Sequence, residues 1–194
     1  MSDKFTKQNV IHQLPAGLLK GDNRTELIGI RETHKVFFMT NGKTKPFAAI
    51  DPYKKALIFE QMLSDAPAME DLKELSFDEA LESYAFCVYG AANADPDFNE
   101  NGELQKTENF LCSNNCQCLK WETKTIAING NKLTPRELEI VNLLASDFAD
   151  KQLADQLNIT ESTLNTHKSH LFEKFQVQST RGLITKAIAN KIIQ

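Results

Sequence analysis

LTPRELEIVNLLA at residues 133–145, KQLADQLNIT at 151–160 and STLNTHKSHLFEKFQV at 162–177 decide how this chain is read. Thr134 is a good N-cap, Pro135 suits the first helical position, and Glu137, three residues on, completes a capping box. Leu138, Val141, Leu144 and Ala145 then recur at helical spacing. A second stripe, Leu153, Ala154 and Leu157, ends at Asn158, a residue suited to a left-handed turn. Thr160 caps the next helix, with Leu164, Leu171 and Phe175 on one face. Ser179 or Thr180 starts a last helix carrying Leu183, Ile184, Ala187 and Ile188. Two short helices joined by a tight turn, braced by one helix before and one after, make a helix-turn-helix arrangement.

At these residues the stretch resembles the LuxR-type helix-turn-helix of bacterial transcription regulators, the module also found at the end of NarL-type response regulators. The resemblance covers roughly residues 131 to 193 and rests on the three segments in that order. It implies that the helix at 162–174 enters the major groove of double-stranded DNA, that the protein acts in transcription regulation, and that RNA polymerase is a further partner. Steps of about 100° along that helix put Leu164, Leu171 and Phe175 on the buried side. Ser162, Thr166, Ser169 and Glu173 face the other way, flanked by Asn165 and His170. Asn165, Thr166 and Ser169 are therefore the expected base-edge contacts, since Asn pairs bidentately with adenine and Thr bonds a base or touches a thymine methyl. Lys151, Lys168, Lys174 and Arg181 are the expected phosphate anchors. Lys168 sits near the apolar side, where its stem can lie along the core while its ammonium reaches out. His167 is read as a half-buried packing residue, with direct contact as the alternative.

The chain departs from the family at several points. Ala145-Ser146-Asp147-Phe148 replaces a turn that usually holds Gly, and Gln176 stands where Gly is common after the recognition helix. A non-glycine residue at positive φ there costs roughly 1 kcal/mol. Asn165 replaces a frequent basic residue. Residues 132–194 hold eight Lys/Arg against seven Asp/Glu. Phosphate attraction dominates DNA affinity, so one such unit binds weakly, and a homodimer on paired half-sites is expected to compensate.

The 194 residues leave room for one further domain, so residues 1–130 are read as an α+β sensing or interaction domain ahead of an all-α four-helix helix-turn-helix domain at 131–194. Residues 1–131 carry 14 Lys/Arg and 19 Asp/Glu, an acidic balance that argues against nucleic-acid binding there. Lys35–Thr40 reads as a strand, Asn41-Gly42 as a hairpin turn and residues 45–50 as its edge partner. Asp51-Pro52 starts a helix through Leu63. Ser76-Phe77-Asp78-Glu79 caps another, with Phe77, Ala80, Leu81, Tyr84, Ala85 and Val88 as its core stripe. Thr125–Ile128 with Asn129-Gly130 reads as a short hairpin or extended linker. The first thirty residues are weakly patterned, suggesting an arm or a first helix. A receiver domain fits badly, because no apolar strand ends in the required Asp. The lack of a long apolar run or a signal-peptide core points to a cytoplasmic protein.

Two constellations suit metals. Cys87, Cys112, Cys116 and Cys118 fall within 32 residues. In a reducing compartment such thiolates suit tetrahedral Zn²⁺ or an iron–sulfur cluster, with free, reactive thiols as the third reading. The run from Asp97 to Glu108 matches a calcium-loop pattern through Asp97, Asn99, Asn101, Gly102, Glu103 and Glu108. No helix leads into it, and a polar turn around Asn101-Gly102 is the favoured reading. His12, His34, His167 and His170 show no catalytic spacing, and no P-loop, dinucleotide or Ser/His/Asp motif appears, so an enzyme is not expected. Two alternatives to a transcription regulator stay open, a protein-interaction or dimerisation module and a sigma-factor-like subunit.

Overall fold

The computed structural model describes residues 14–107, 109, 111–113, 116–190 and 192–193. His12, Glu108 and the start of the expected N-terminal arm or helix lie outside these residues.

A three-stranded antiparallel sheet comes first, in the order β1 (Glu26–Ile30), β2 (Lys35–Thr40), β3 (Lys43–Pro46). Asn41 and Gly42 both take positive φ, 50° and 70°, as the tight hairpin turn between β2 and β3 requires. Phe37 pairs with Pro46 at the far end of that hairpin. Pro46 closes an edge strand, where its missing N–H costs no ladder bond. The expected partner strand at 45–50 is corrected: Phe47–Ala49 forms a 3₁₀ turn that buries Phe47. The expectation of an arm or helix over the first thirty residues is corrected at its end, because 26–30 is a strand. β1 lies close against the following helical layer. A Cβ on Gly29 would come within 2.7 Å of the Phe86 ring, so any larger residue there must displace that ring.

Of helices α1 (Pro52–Leu63), α2 (Ala66–Leu72) and α3 (Phe77–Tyr89), α3 packs on this sheet, α1 packs on α3, and α2 packs on α1. Asp51 caps α1 by accepting from Tyr53 N–H at 2.9 Å. Glu79 closes the α3 capping box on Ser76. Ala80, Leu81, Tyr84, Ala85 and Val88 are buried as expected, whereas Phe77 is 54% exposed and rests edge-on against Phe59. Phe86, Cys87 and Tyr89 are buried as well, so the last turns of α3 are enclosed all round. Glu82 fixes α3 to the sheet, accepting from Val36 N–H and Lys35 Nζ at 3.0 Å each.

A second core begins beyond residue 110. β4 (Ala127–Ile128) and β5 (Asn131–Lys132) form the short hairpin, and Ile126, Ile128 and Leu133 pack with α4 (Pro135–Leu144), α5 (Asp150–Gln156), α6 (Glu161–Phe175) and α7 (Thr180–Ala189). Thr134 caps α4 through the expected box with Glu137. Asn158 turns with φ 53° and Gln176 with φ 52°, the latter at the left-handed end of α6. The chain tolerates a non-glycine residue there because Gln176 N–H and Val177 N–H still reach the carbonyls of Glu173 and Phe172. On α7, Leu183 and Ala187 are buried and Ile184 partly so. Ile188 is 54% exposed, which removes it from the expected stripe.

Candidate nucleic-acid interface and cysteine cluster

The apolar face of α6 anchors it with Leu164, Leu171 and Phe175 all fully enclosed. Its N-terminus is fixed by Thr160, whose Oγ1 accepts from Thr163 N–H at 3.1 Å. Asn129, in the hairpin turn, holds the other end by donating from Nδ2 to the Lys174 carbonyl at 2.9 Å. With both ends held, the outward face carries Ser162, Asn165, Thr166, Ser169, His170 and Glu173, all exposed. Thr166 Oγ1 donates to the Ser162 carbonyl (3.1 Å) and Ser169 Oγ to that of Asn165 (3.0 Å). These bonds orient both hydroxyls and leave their oxygens able to accept. His167 is half-buried.

The expected phosphate anchors divide into two pairs. Lys151 and Arg181 are exposed, in the first turns of α5 and α7. Lys168 instead turns its ammonium to Asp150, at 2.9 and 3.0 Å from the two carboxylate oxygens, tying α6 to the start of α5. Lys174 donates to Glu137 at 2.8 Å and to the Lys132 carbonyl at 3.2 Å. Burial raises the Glu137 pKa, but hydrogen bonds from Lys174 and Thr134 outweigh it and hold the carboxyl below its ordinary range. Sequence reading missed three organising contacts. Besides Asn129 and the Lys168–Asp150 pair, Arg136 reaches the Leu157 carbonyl at 2.6 Å, binding α4 to the end of α5. Their signal is a polar side chain at an element boundary, which names no partner.

The four cysteines converge. Their sulfurs all lie within 4.8 Å of one another, although Cys87 sits on α3 and the others lie 25 or more residues later. Cys87, Cys112 and Cys118 are buried, Cys116 is half-buried, and none is in a disulfide. Cys87 Sγ is 3.9 Å from Cys116 Sγ, and Cys112 Sγ is 3.2 Å from Cys118 Sγ. Hydrogen bonding from Cys112, then Cys118 and Cys87, holds the Cys116 thiol well below the usual range. Hydrogen bonds with Cys112, then Cys116 and Cys118, together with burial, push the Cys87 thiol up. Among the described residues this is the one group of three or more His, Cys, Asp or Glu side chains placed to hold a metal ion.

The expected polar turn around Asn101-Gly102 is present, and Glu108, the last residue of the calcium-loop pattern, lies outside the described residues. Asp97 is buried and accepts from Leu27 N–H at 2.6 Å, so its carboxylate serves β1. Asn99 Oδ1 accepts from Asn101 N–H and Glu103 N–H, making the polar turn in which Gly102 takes φ 80°.

Residues 131–187 match the family described as bacterial regulatory proteins, luxR family. The C-terminal domain is a luxR-family domain. The transcriptional regulatory protein MctR of Rhizobium johnstonii is 38% identical over 64 residues, 33% of this chain and 30% of that protein. The nitrate/nitrite response regulator protein NarL of Escherichia coli is 43% identical over 49 residues, 25% of this chain and 23% of that one. The oxygen regulatory protein NreC of Staphylococcus carnosus is 33% identical over 61 residues, 31% and 28% of the two chains. The chain thus spans less than a third of the length of these curated relatives. No solved structure matches it. The family match lies wholly in the second core. Among the described residues, no helix is long and apolar enough to cross a membrane.

Proposed function

We propose that this chain is a sequence-specific, DNA-binding transcription regulator. In this reading α6 lies in the major groove, Asn165, Thr166 and Ser169 face base edges, and residues 1–130 govern when binding occurs. One observation carries the reading: the family match falls on a domain whose α6 is held at both ends with its polar face open. Ser162 and His170 flank the reading face, and Lys151 and Arg181 touch the phosphates on either side of it. Lys168 and Lys174 act from within, setting how α6 sits on α5 and α4. A unit with so little net positive charge needs a second copy to hold DNA at physiological salt, so the reading includes a homodimer on paired half-sites.

Binding-site selection on random duplex DNA, using the full chain, tests it. The Asn165→Ala, Thr166→Ala double variant is expected to lose roughly 1–3 kcal/mol per base contact and to relax the preferred sequence at those positions. An unaltered preference would place the reading face elsewhere.

The two groups of lysines and arginines separate in the same assay. Lys151→Ala and Arg181→Ala should each flatten the salt dependence by about one ion. Lys168→Met should leave that slope unchanged and lower the thermal midpoint of the C-terminal unit, because it breaks the tie to Asp150. A shallower slope in Lys168→Met would return Lys168 to the phosphates.

A further inference from the structure

The cysteine cluster does not contribute to the α6 face, and its geometry is that of a metal centre. A tetrahedral zinc tetrathiolate with bonds of about 2.3 Å has sulfur–sulfur edges of roughly 3.8 Å. The two pairs at 3.9 and 3.2 Å, and the 4.8 Å limit on all four sulfurs, bracket that value. An iron–sulfur cluster distributes its cysteines over separate iron atoms and so needs them further apart. A disulfide needs sulfurs at about 2.05 Å, closer than any pair here. Four ligands fill a tetrahedron and leave no position for water or substrate, as in structural rather than catalytic zinc sites.

The surroundings fit the charge such a centre would carry. Four thiolates around one divalent ion bear a net charge of −2. Lys124 is only 2% exposed, and its Nζ donates to the carbonyl of Cys87. A buried ammonium placed this close lowers the cost of holding net negative charge on the sulfurs. Here it lies on the backbone of one of the four cysteines.

We propose that Cys87, Cys112, Cys116 and Cys118 bind one Zn²⁺ in a closed tetrahedral site, with Lys124 as its buried counter-charge. The ion fastens the segment from 112 to 124 onto the last turn of α3. Trp121 continues the attachment, stacked on Tyr84 at 5.5 Å and donating from Nε1 to Asp71 at 2.8 Å. Three residues after Lys124 the chain enters the hairpin of the DNA-binding domain. The zinc therefore fixes the root from which that domain departs. This inference stands whether or not α6 reads DNA.

The test is elemental analysis of the full chain, purified anaerobically with no chelator and no metal-binding tag, followed by exchange with Co²⁺. About one zinc per chain is expected, with the visible and near-ultraviolet absorption of tetrahedral tetrathiolate cobalt after exchange. Iron with its own visible absorption, four titratable thiols with no retained metal, or a Cys112–Cys118 disulfide would each overturn the site. Cys112→Ser should lose the tetrathiolate cobalt spectrum, and retention of that spectrum would remove Cys112 from the ligand set. Lys124→Met keeps all four ligands, so it should retain the spectrum while zinc affinity falls about 10–100-fold. Unchanged zinc affinity in that variant would overturn the counter-charge role.

Discussion

Phe175→Ala is expected to remove about 3–5 kcal/mol from the C-terminal domain, enough to leave it largely unfolded. Phe175 ends α6, is fully enclosed, and lies in the second core with Leu164, Leu171, Leu183 and Ala187. Truncating it opens a cavity between α6 and α7, at a helix end already held by Asn129 on the Lys174 carbonyl, so little collapse is expected. Such a domain has a small core, so 3–5 kcal/mol is most of its stability. Far-ultraviolet circular dichroism in urea should show early loss of the helical signal, and DNA binding should disappear with it. The chain has a single tryptophan, Trp121, which is buried in the other core. Its fluorescence transition should move far less. Phe175→Leu keeps most of the volume and should lose less than half as much. A shift in the helical transition worth under about 1 kcal/mol for Phe175→Ala would mean that α6 is not packed as described.

The helical third of the chain was legible because its signals are local. Capping box, Pro at N1, apolar stripe and left-handed terminus each occupy a few consecutive residues, and Thr134, Asn158, Thr160 and Ser179 all stand where their chemistry places them. The same held for Asn41-Gly42 and for the box at Ser76. What stayed hidden depends on partners far along the chain. β1 contains Glu26, which is fully buried because its carboxylate accepts from Asn93 N–H, 67 residues away. A buried acid in a five-residue strand breaks the alternation by which strands are recognised. α2 is seven residues long and too short for periodicity to declare it.

Of the candidate sites, the polar face of α6 followed from the helical period alone. The roles of Lys168 and Lys174 did not, because a lysine's stem reaches either solvent or a carboxylate, and only the fold brings Asp150 and Glu137 close. The cysteines were noticed by spacing, but the spacing could not bring Cys87 to the other three. That took the direction of α3 and the return of the chain at 112–118. The Asp97 loop is the opposite case. It has the right residues in the right order, and the demand of β1 for an acceptor turns its first carboxylate inward.

Asp65→Ala should cost the N-terminal unit roughly 3 kcal/mol, the largest effect expected from a single polar side chain there. Asp65 is fully buried between two helices. One carboxylate oxygen caps α2 by accepting from Ala68 N–H at 3.0 Å, and the other accepts from Thr123 N–H at 2.8 Å and Thr123 Oγ1 at 2.5 Å. Tyr84 O–H donates to Thr123 Oγ1 at 2.9 Å, and burial pushes its own pKa up to about 12. Removing the carboxylate orphans two backbone N–H groups and frees the segment beside Lys124 and the cysteines. Burial pushes the Asp65 carboxyl up, but the hydrogen bonds from Thr123 and Ala68 outweigh it, and its pKa is lowered in the folded chain. Its contribution is therefore complete above the unfolded value of about 4 and is lost as pH falls through the lower folded value. Urea titrations followed by Trp121 fluorescence should show wild-type stability declining below about pH 4, with Asp65→Asn declining less steeply. Asn keeps an acceptor for Ala68 N–H and should lose only part of what Ala loses. Equal pH slopes in wild type and Asp65→Asn would show that Asp65 is not the carboxylate through which acid loosens this unit.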